Sequence, residues 1–268
     1  MRGRVLVVAG SDSGGGAGIQ ADIKTVTALG AYAATAVTAL TAQDTLGVHG
    51  VHVVPPGFIA QQMRVVLRDI GADAVKTGML HDSATIDAVC DVLEAEAAAK
   101  GVPVVVDPVM YAKGGHALLR PDAVATLKRR LLVMARIVTP NLPEAEALSG
   151  MRIRTLPEMR HAAQTMLTLG CQAVLLKGGH MDGPRVVDVL ATDSAVREFD
   201  GPRIASAATH GTGCTLASAI AAGLAQGLDL EIAVARAREY VRRAIETAPG
   251  YGAGHGPLNH AHPLDRTR

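Results

Sequence analysis

The 268-residue chain has no tryptophan, two phenylalanines and four tyrosines. So few aromatic faces leave little on which exposed bases can stack, which excludes single-strand and RNA recognition of that kind. Net charge is nearly absent as well: 26 Lys and Arg stand against 25 Asp and Glu, giving +1. The chain therefore lacks the basic footprint of a protein that binds nucleic acid or an anionic membrane. Cysteine is scarce. Cys90, Cys171 and Cys214 are odd in number, widely spaced and free of any CxxC, which argues against a disulfide framework or a structural zinc site and fits a reducing cytoplasm. No run of about 18 apolar residues suggests a transmembrane helix. The basic start is followed by VLVVAG, too short for the apolar region of a signal peptide.

The hydrophobic share is 49%, too high for disorder, and the 29 glycines point to tight turns and backbone-lined sites. Short β-branched runs alternate with amphipathic stretches. Strands are expected at Val5–Ala9, Ala34–Leu40, Ala74–Thr77, Val104–Val106, Ile137–Val138 and Ala173–Leu176. Most are continuous apolar runs, as for parallel strands covered on both faces. Helical stripes run through Ile59, Met63, Val66, Leu67 and Ile70, through Ile86, Val89 and Leu93, and through Leu216, Ile220 and Leu224. Val186–Phe199 reads as a hairpin turning at Thr192-Asp193-Ser194. Nothing resembling a linker divides the chain. The expectation is one parallel α/β domain over residues 1–268, with 261–268 a loose tail.

Ligands of such sheets sit beyond the carboxyl ends of the strands. Those ends carry Gly10-Ser11-Asp12, Thr41-Ala42-Gln43-Asp44, Lys76-Thr77-Gly78-Met79, Asp107-Pro108-Val109, Thr139-Pro140-Asn141 and Lys177-Gly178-Gly179-His180. Two lysines, three aspartates and a glutamine exceed what turns require, so a site is expected there. Gly10–Gly18 holds five glycines in nine residues before a helix, which suits close backbone approach to a ligand. It is neither a P-loop nor GxGxxG, since Ile19 stands where the last glycine belongs. Thr209-His210-Gly211-Thr212-Gly213-Cys214-Thr215 runs straight into a helix, so Gly211, Thr212 and Gly213 present N–H groups as an anion hole. Cys214 falls in the first turn, where the dipole is expected to lower its thiol toward about 7. Cys90 and Cys171 read as small buried hydrophobes. In Asn141-Leu142-Pro143-Glu144-Ala145-Glu146, Glu144 suits Mg²⁺ and Glu146 reads as a first-turn acid complementing the dipole. His255, His260 and His262 have poor spacing for a metal and read as a structural loop.

AGSDSGGGAGIQADIKT, TALTAQDTLGV, KTGML, DPVM, TPNLPEAEAL, LKGGH, THGTGCTLASAIAAGLA and GHGPLNH stand in an order that resembles the hydroxymethylpyrimidine kinase/phosphomethylpyrimidine kinase family of thiamine biosynthesis, a ribokinase-like group, over nearly the whole chain. The resemblance implies a three-layer α/β/α fold with a mostly parallel sheet. It also implies ATP- and Mg²⁺-dependent phosphorylation of an aminopyrimidine alcohol and then of its monophosphate, and a homodimer. It makes Cys214 the base within the anion hole. Gln43, Gly10, Ala17, Asp22, Met79 and Val109 fall on substrate positions. Lys177, Asn141 and Thr209 fall on nucleotide positions, and Asp107 and Glu144 on metal positions. A glutamine amide both donates and accepts, matching an aminopyrimidine edge. Asp44 and Ala208 depart from the family pattern, and Asp44 is expected to bring negative charge near the pocket. A pyridoxal kinase of the same fold, a nicotinamide-dependent oxidoreductase and a non-catalytic pyrimidine sensor are the competing readings.

Overall fold

In the computed structural model, residues 1–112 and 114–264 are described. They form a nine-stranded sheet in the order β3-β2-β1-β4-β5-β6-β7-β8-β9. The strands are β1 Arg4–Asp12, β2 Tyr32–Gln43, β3 Val48–Val53, β4 Ala74–Thr77, β5 Val104–Val106, β6 Ile137–Val138, β7 Ala173–Leu176, β8 Arg185–Thr192 and β9 Val196–Pro202. Six central strands, from β2 through β7, run parallel. β3 pairs antiparallel at one edge, and the β8–β9 hairpin continues antiparallel from β7 at the other. Expected and observed bounds agree for β4 to β7, all of whose residues are buried; in β5 to β7 the apolar run is the whole strand. β1 and β2 run further than their apolar cores, out to Asp12 and Gln43.

Side-chain alternation along the strands divides the core into two layers. Leu6, Val8, Val75, Val104, Val106 and Leu176 pack with helices α2 (Pro56–Asp69), α3 (Ser83–Glu96) and α6 (Leu156–Leu167). Val5, Val7, Ala9, Ala74, Val105 and Leu175 pack with α1 (Gly18–Ala28), α7 (Thr212–Ala225) and α8 (Leu230–Glu246). This is the expected three-layer α/β/α arrangement. No helix among the described residues is long and apolar enough to cross a membrane.

Two short helices complete the pattern. Between β5 and β6 lies α4 (Ala123–Thr126), and between β6 and β7 lies α5 (Leu142–Ser149). Glu146 does more than complement the α5 dipole: its Oε1 accepts the Ile153 N–H at 2.8 Å, holding the turn after the helix. The C-terminal loop packs on α7 and α8. His260 Nε2 lies 3.0 Å from Thr215 Oγ1, and Tyr240 donates to the His260 carbonyl at 2.6 Å. The His262 ring stacks at 4.7 Å on Tyr240, so residues 261–264 are seated rather than loose, and 265–268 lie outside the described residues.

One polar group is set deep in the α1/α7 layer. Lys76, in β4, is fully buried, and its ammonium lies 2.9 Å from both Asp22 carboxylate oxygens. Ser218 Oγ of α7 donates to Asp22 Oδ1 at 2.6 Å. Removing one partner of a buried pair strands the other charge, which costs about 3–5 kcal/mol. Asp22→Asn is therefore expected to lower unfolding stability by that amount in urea titration. The double variant Asp22→Leu/Lys76→Met is expected to lose less than Asp22→Asn alone.

Candidate active site

The carboxyl ends of the parallel strands open into a cavity of about 910 Å³. Its walls include Gly10, Ala17, Gln43, Met79 and Val109 on one side, Asp107, Asn141, Glu144 and Lys177 in the centre, and Thr209 to Cys214 above them. The sheet thus brings nearly all the site residues expected from the sequence to one edge. Asp22 is the exception. It does not line the cavity but sits one layer below, holding Lys76, which does. The reason is helical: Asp22 lies in the second turn of α1, facing the sheet.

The Gly-Thr-Gly-Cys turn is the N-terminus of α7. Gly211 caps it with φ +81°, and the first intrahelical bond runs from Thr215 N–H to the Gly211 carbonyl at 2.9 Å. The N–H groups of Thr212, Gly213 and Cys214 precede that bond and have no i−4 acceptor, so they are available to an anion. A Cβ on Gly213 would come within 3.1 Å of Lys177 Nζ. The absence of a side chain there is what lets a cation sit directly under the anion hole. Lys177 Nζ also lies 3.2 Å from Asp107 Oδ1. Burial opposes the Lys177 charge, but Asp107 and Glu144 more than offset it and keep the amine protonated.

Two carboxylates complete this centre. Glu144 is buried and forms a capping box: its Oε2 accepts the Asn141 N–H at 2.8 Å, and Asn141 Oδ1 accepts the Glu144 N–H at 2.9 Å. Burial raises the Glu144 carboxyl to about 7, Lys177 draws it down and Asp107 pushes it up. Asp107 follows β5, and its N–H donates to the Thr77 carbonyl at 3.0 Å. Two carboxylates this close to one lysine carry an excess of negative charge that a divalent cation would relieve. The donor set is hard oxygen, as Mg²⁺ prefers, and leaves room for phosphate oxygens and water. The residues therefore fit the metal.

The Cys214 thiol behaves differently from expectation. Burial pushes it up to about 12. The Lys76 ammonium and the Gly18 N–H favour the thiolate, whereas Asp22 and Asp107 oppose it. The helix start is where it was expected, but loss of solvent and two nearby carboxylates outweigh it.

The ring side of the cavity is floored by a small apolar cluster of Ala39, Met79 and Leu118, against which Val51, Val109 and Ala112 pack. Thr38 Oγ1 donates to the Met79 carbonyl at 2.6 Å and fixes that backbone. Gln43 ends β2 with its Oε1 accepting from Thr41 Oγ1 at 3.1 Å. Asp44 turns away from the cavity: its Oδ1 accepts the Leu46 and Gly47 N–H groups, and Oδ2 lies 3.0 Å from His49. It does not bring the expected charge to the pocket. Ala208 is buried and does not line the cavity.

Lys76, one of the two lysines that marked the strand ends in the sequence, lines the cavity. Arg203 and Arg238, on the far side of the cavity, were not singled out from the sequence, because their placement depends on how the β8–β9 hairpin and α8 come together. Arg238 Nε donates to Asp188 at 2.7 Å while its guanidinium lies 5.6 Å from the Phe199 ring centre. Arg203 donates to the carbonyls of Gly183 at 2.8 Å and Gly179 at 3.0 Å, bracing the loop after β7.

A family model described as phosphomethylpyrimidine kinase matches residues 12–259. The chain belongs to that family. The thiamine biosynthesis bifunctional protein of Geobacter sulfurreducens is 54% identical over 97% of this chain, which spans about half of that protein's length (52%). The hydroxymethylpyrimidine/phosphomethylpyrimidine kinase of Streptomyces coelicolor is 45% identical over 97% of this chain and 95% of its own. Among solved structures, an ADP complex of Bacillus subtilis pyridoxal kinase is similar with a TM-score of 0.90 at 35% identity, covering 97% of this chain and 98% of that one. The cavity has an apolar floor at one end, an arginine-lined wall at the other and the α7 N-terminus between.

The state of Cys214 can be read by alkylation. With the thiol at about 12, roughly three proteins in 10⁵ carry the thiolate near pH 7.5. Iodoacetamide is expected to label Cys214 slowly there, with a rate rising about tenfold per pH unit through pH 10. Labelling within minutes at pH 7, levelling off above pH 8, would show a thiol activated by the helix dipole instead.

Proposed function

We propose that the protein is an ATP-dependent kinase that phosphorylates 4-amino-5-hydroxymethyl-2-methylpyrimidine and then converts the resulting monophosphate to the diphosphate, as in thiamine diphosphate biosynthesis. The observation that carries this reading is the juxtaposition of the α7 anion hole with Lys177 directly beneath Gly213, between an apolar ring floor and an arginine-lined wall. Family membership and the names of the similar kinases support it.

Phosphoryl transfer depends on positioning and on charge neutralisation more than on covalent chemistry. The Thr212, Gly213 and Cys214 N–H groups lie where they can receive the oxygens of the transferring phosphoryl, and one such donor is worth about 2.7–4 kcal/mol. Lys177 offsets charge on the β- and γ-phosphates, with Asn141 and Thr209 at the nucleotide side. Asp107 and Glu144 would hold Mg²⁺, which when bound bridges phosphate oxygens and neutralises their charge. Gly10, Ala17 and Gln43 hold the pyrimidine edge over Met79 and Val109. Asp22 serves this site indirectly, through Lys76.

Cys214 is the base of this reading and must give up its own proton before it can take one from the substrate hydroxyl. Lys76, the cation that favours its thiolate, is in place for that state. A reducing cytoplasm, where three unpaired thiols persist, is the compartment this reading implies. A homodimer belongs to it too: Leu40 and Leu46 are exposed beside the open edge of β3, the sort of edge that pairing covers.

Product analysis with Mg²⁺–ATP and hydroxymethylpyrimidine should show the monophosphate first and then the diphosphate. The similarity to a pyridoxal kinase fold makes pyridoxal the control substrate. A kcat/KM for pyridoxal above that for the pyrimidine alcohol would overturn the assignment.

Cys214→Ala is expected to lower kcat by about 10²–10⁴-fold while leaving the unfolding midpoint close to wild type. Near-wild-type turnover in that variant would remove the thiol from the chemistry.

A further inference from the structure

Asp12 and His210 are buried at the rim of the cavity, on two segments 198 residues apart in sequence, and their side chains meet at 2.8 Å between Oδ2 and Nε2. The Asp12 carboxylate also organises the glycine-rich loop that follows it. Its Oδ1 accepts the Gly14 N–H at 2.8 Å, and its Oδ2 accepts those of Gly16 at 3.1 Å and Ala17 at 2.8 Å. Three donors therefore converge on Oδ2, two from the substrate loop and one from the residue immediately before the anion hole. Burial raises the Asp12 carboxyl, but these bonds and the imidazole overcome it and leave the acid below its usual value.

The backbones interlock at the same place. A Cβ on Gly16 would fall 2.5 Å from His210 Cδ2, and one on Gly211 would fall 1.9 Å from the Gly16 carbonyl oxygen. The substrate loop and the α7 turn thus touch with no side chain between them. The His210 N–H bonds at 3.2 Å to the Gly256 carbonyl, so the turn is held from its other side as well. Gln43 Nε2 lies 3.4 Å from His210 Nε2. With the imidazole proton directed at Asp12, both of these nitrogens are donors, so the Gln43 amide hydrogens are not spent on the histidine and stay free for a ligand.

We propose that the Asp12–His210 pair is a latch that locks the glycine-rich substrate loop to the Gly-Thr-Gly-Cys turn, making His210 a positioning residue for the anion hole. The latch rests on the kinase reading for its catalytic consequence but not for its existence. Losing His210 leaves the three loop N–H bonds to Asp12 intact. The loop then keeps its shape but loses its register against α7, so transfer suffers more than ring binding. Asp12→Asn is more damaging, because an amide nitrogen cannot accept from the donors that now converge on the carboxylate.

The test uses the full-length protein. In His210→Leu, hydrogen exchange is expected to rise at least tenfold in both peptides spanning 11–18 and 209–216, with β4 to β7 unchanged. Its kcat is expected to fall at least tenfold with the pyrimidine KM within threefold of wild type. His210→Gln, which restores an N–H donor of similar reach, should bring kcat back to within threefold. Loosening confined to 209–216, or an unchanged kcat in His210→Leu, would overturn the latch. Should wild-type protein phosphorylate no pyrimidine alcohol, the kinase reading fails and the exchange result alone decides the latch.

Discussion

A fully buried ammonium is the constraint around which the site is built. Lys76 stands in the middle of β4, where an apolar residue would pack with less penalty, and its charge has no water to stabilise it. Asp22 answers it from α1 and Ser218 fixes Asp22 from α7, so the two helices that lead into the site are tied through one carboxylate to the central sheet. The fold keeps this arrangement although hydrophobic packing there would be equally stable or more so. What the cation provides is a fixed positive charge beside Cys214, at the carboxyl ends of the parallel strands.

The second lysine follows the same logic with less burial of its partner set. Lys177 meets Asp107 at the ends of β7 and β5, and Glu144 enters from the start of α5. The centre sets two carboxylates against this one lysine, and the negative charge left over is what a divalent cation would relieve. A polyphosphate would add negative charge that such a cation would offset, so local charges rather than a large positive field from the rest of the molecule set the balance. This explains how a chain with a net charge of only +1 offers a site for a highly charged nucleotide: the field is local and set by pairs.

The sequence revealed most where a single local rule decides structure. β5 to β7 were legible to the residue because strands buried on both faces have no polar positions to blur their limits, and β4 was legible although Lys76 and Thr77 are polar. The Gly-Thr-Gly-Cys helix start was legible because glycine and the following apolar stripe mark it together. Asp22 was misplaced because its distance from the glycine-rich loop says nothing about which way a helix rotates it. The Cys214 thiol was misjudged because the dipole is visible in the sequence while Asp22, Asp107 and the loss of solvent are brought to it by the fold alone. β3 was absent from the expected strands, since its three valines are interrupted by His49, Gly50 and His52 and form no continuous apolar run.

The shortage of aromatic residues now has a structural meaning. With no tryptophan, and with both phenylalanines outside the apolar floor, a heteroaromatic ring bound as proposed would rest on Met79, Val109 and Leu118 and on glycine backbone. Such surfaces supply contact area but little orientation, because a methyl or thioether has no preferred face. On the proposed reading, orientation comes from hydrogen bonds at the ring edge, which puts weight on the Gln43 amide and on the shape of the loop beside it. That demand places a tight tolerance on the glycine-rich loop, and it gives a physical reason for Asp12 to gather three of its N–H groups onto one carboxylate. On the proposed reading, specificity for an aminopyrimidine over another hydroxymethyl ring would rest on the precision of backbone placement rather than on the size of a pocket.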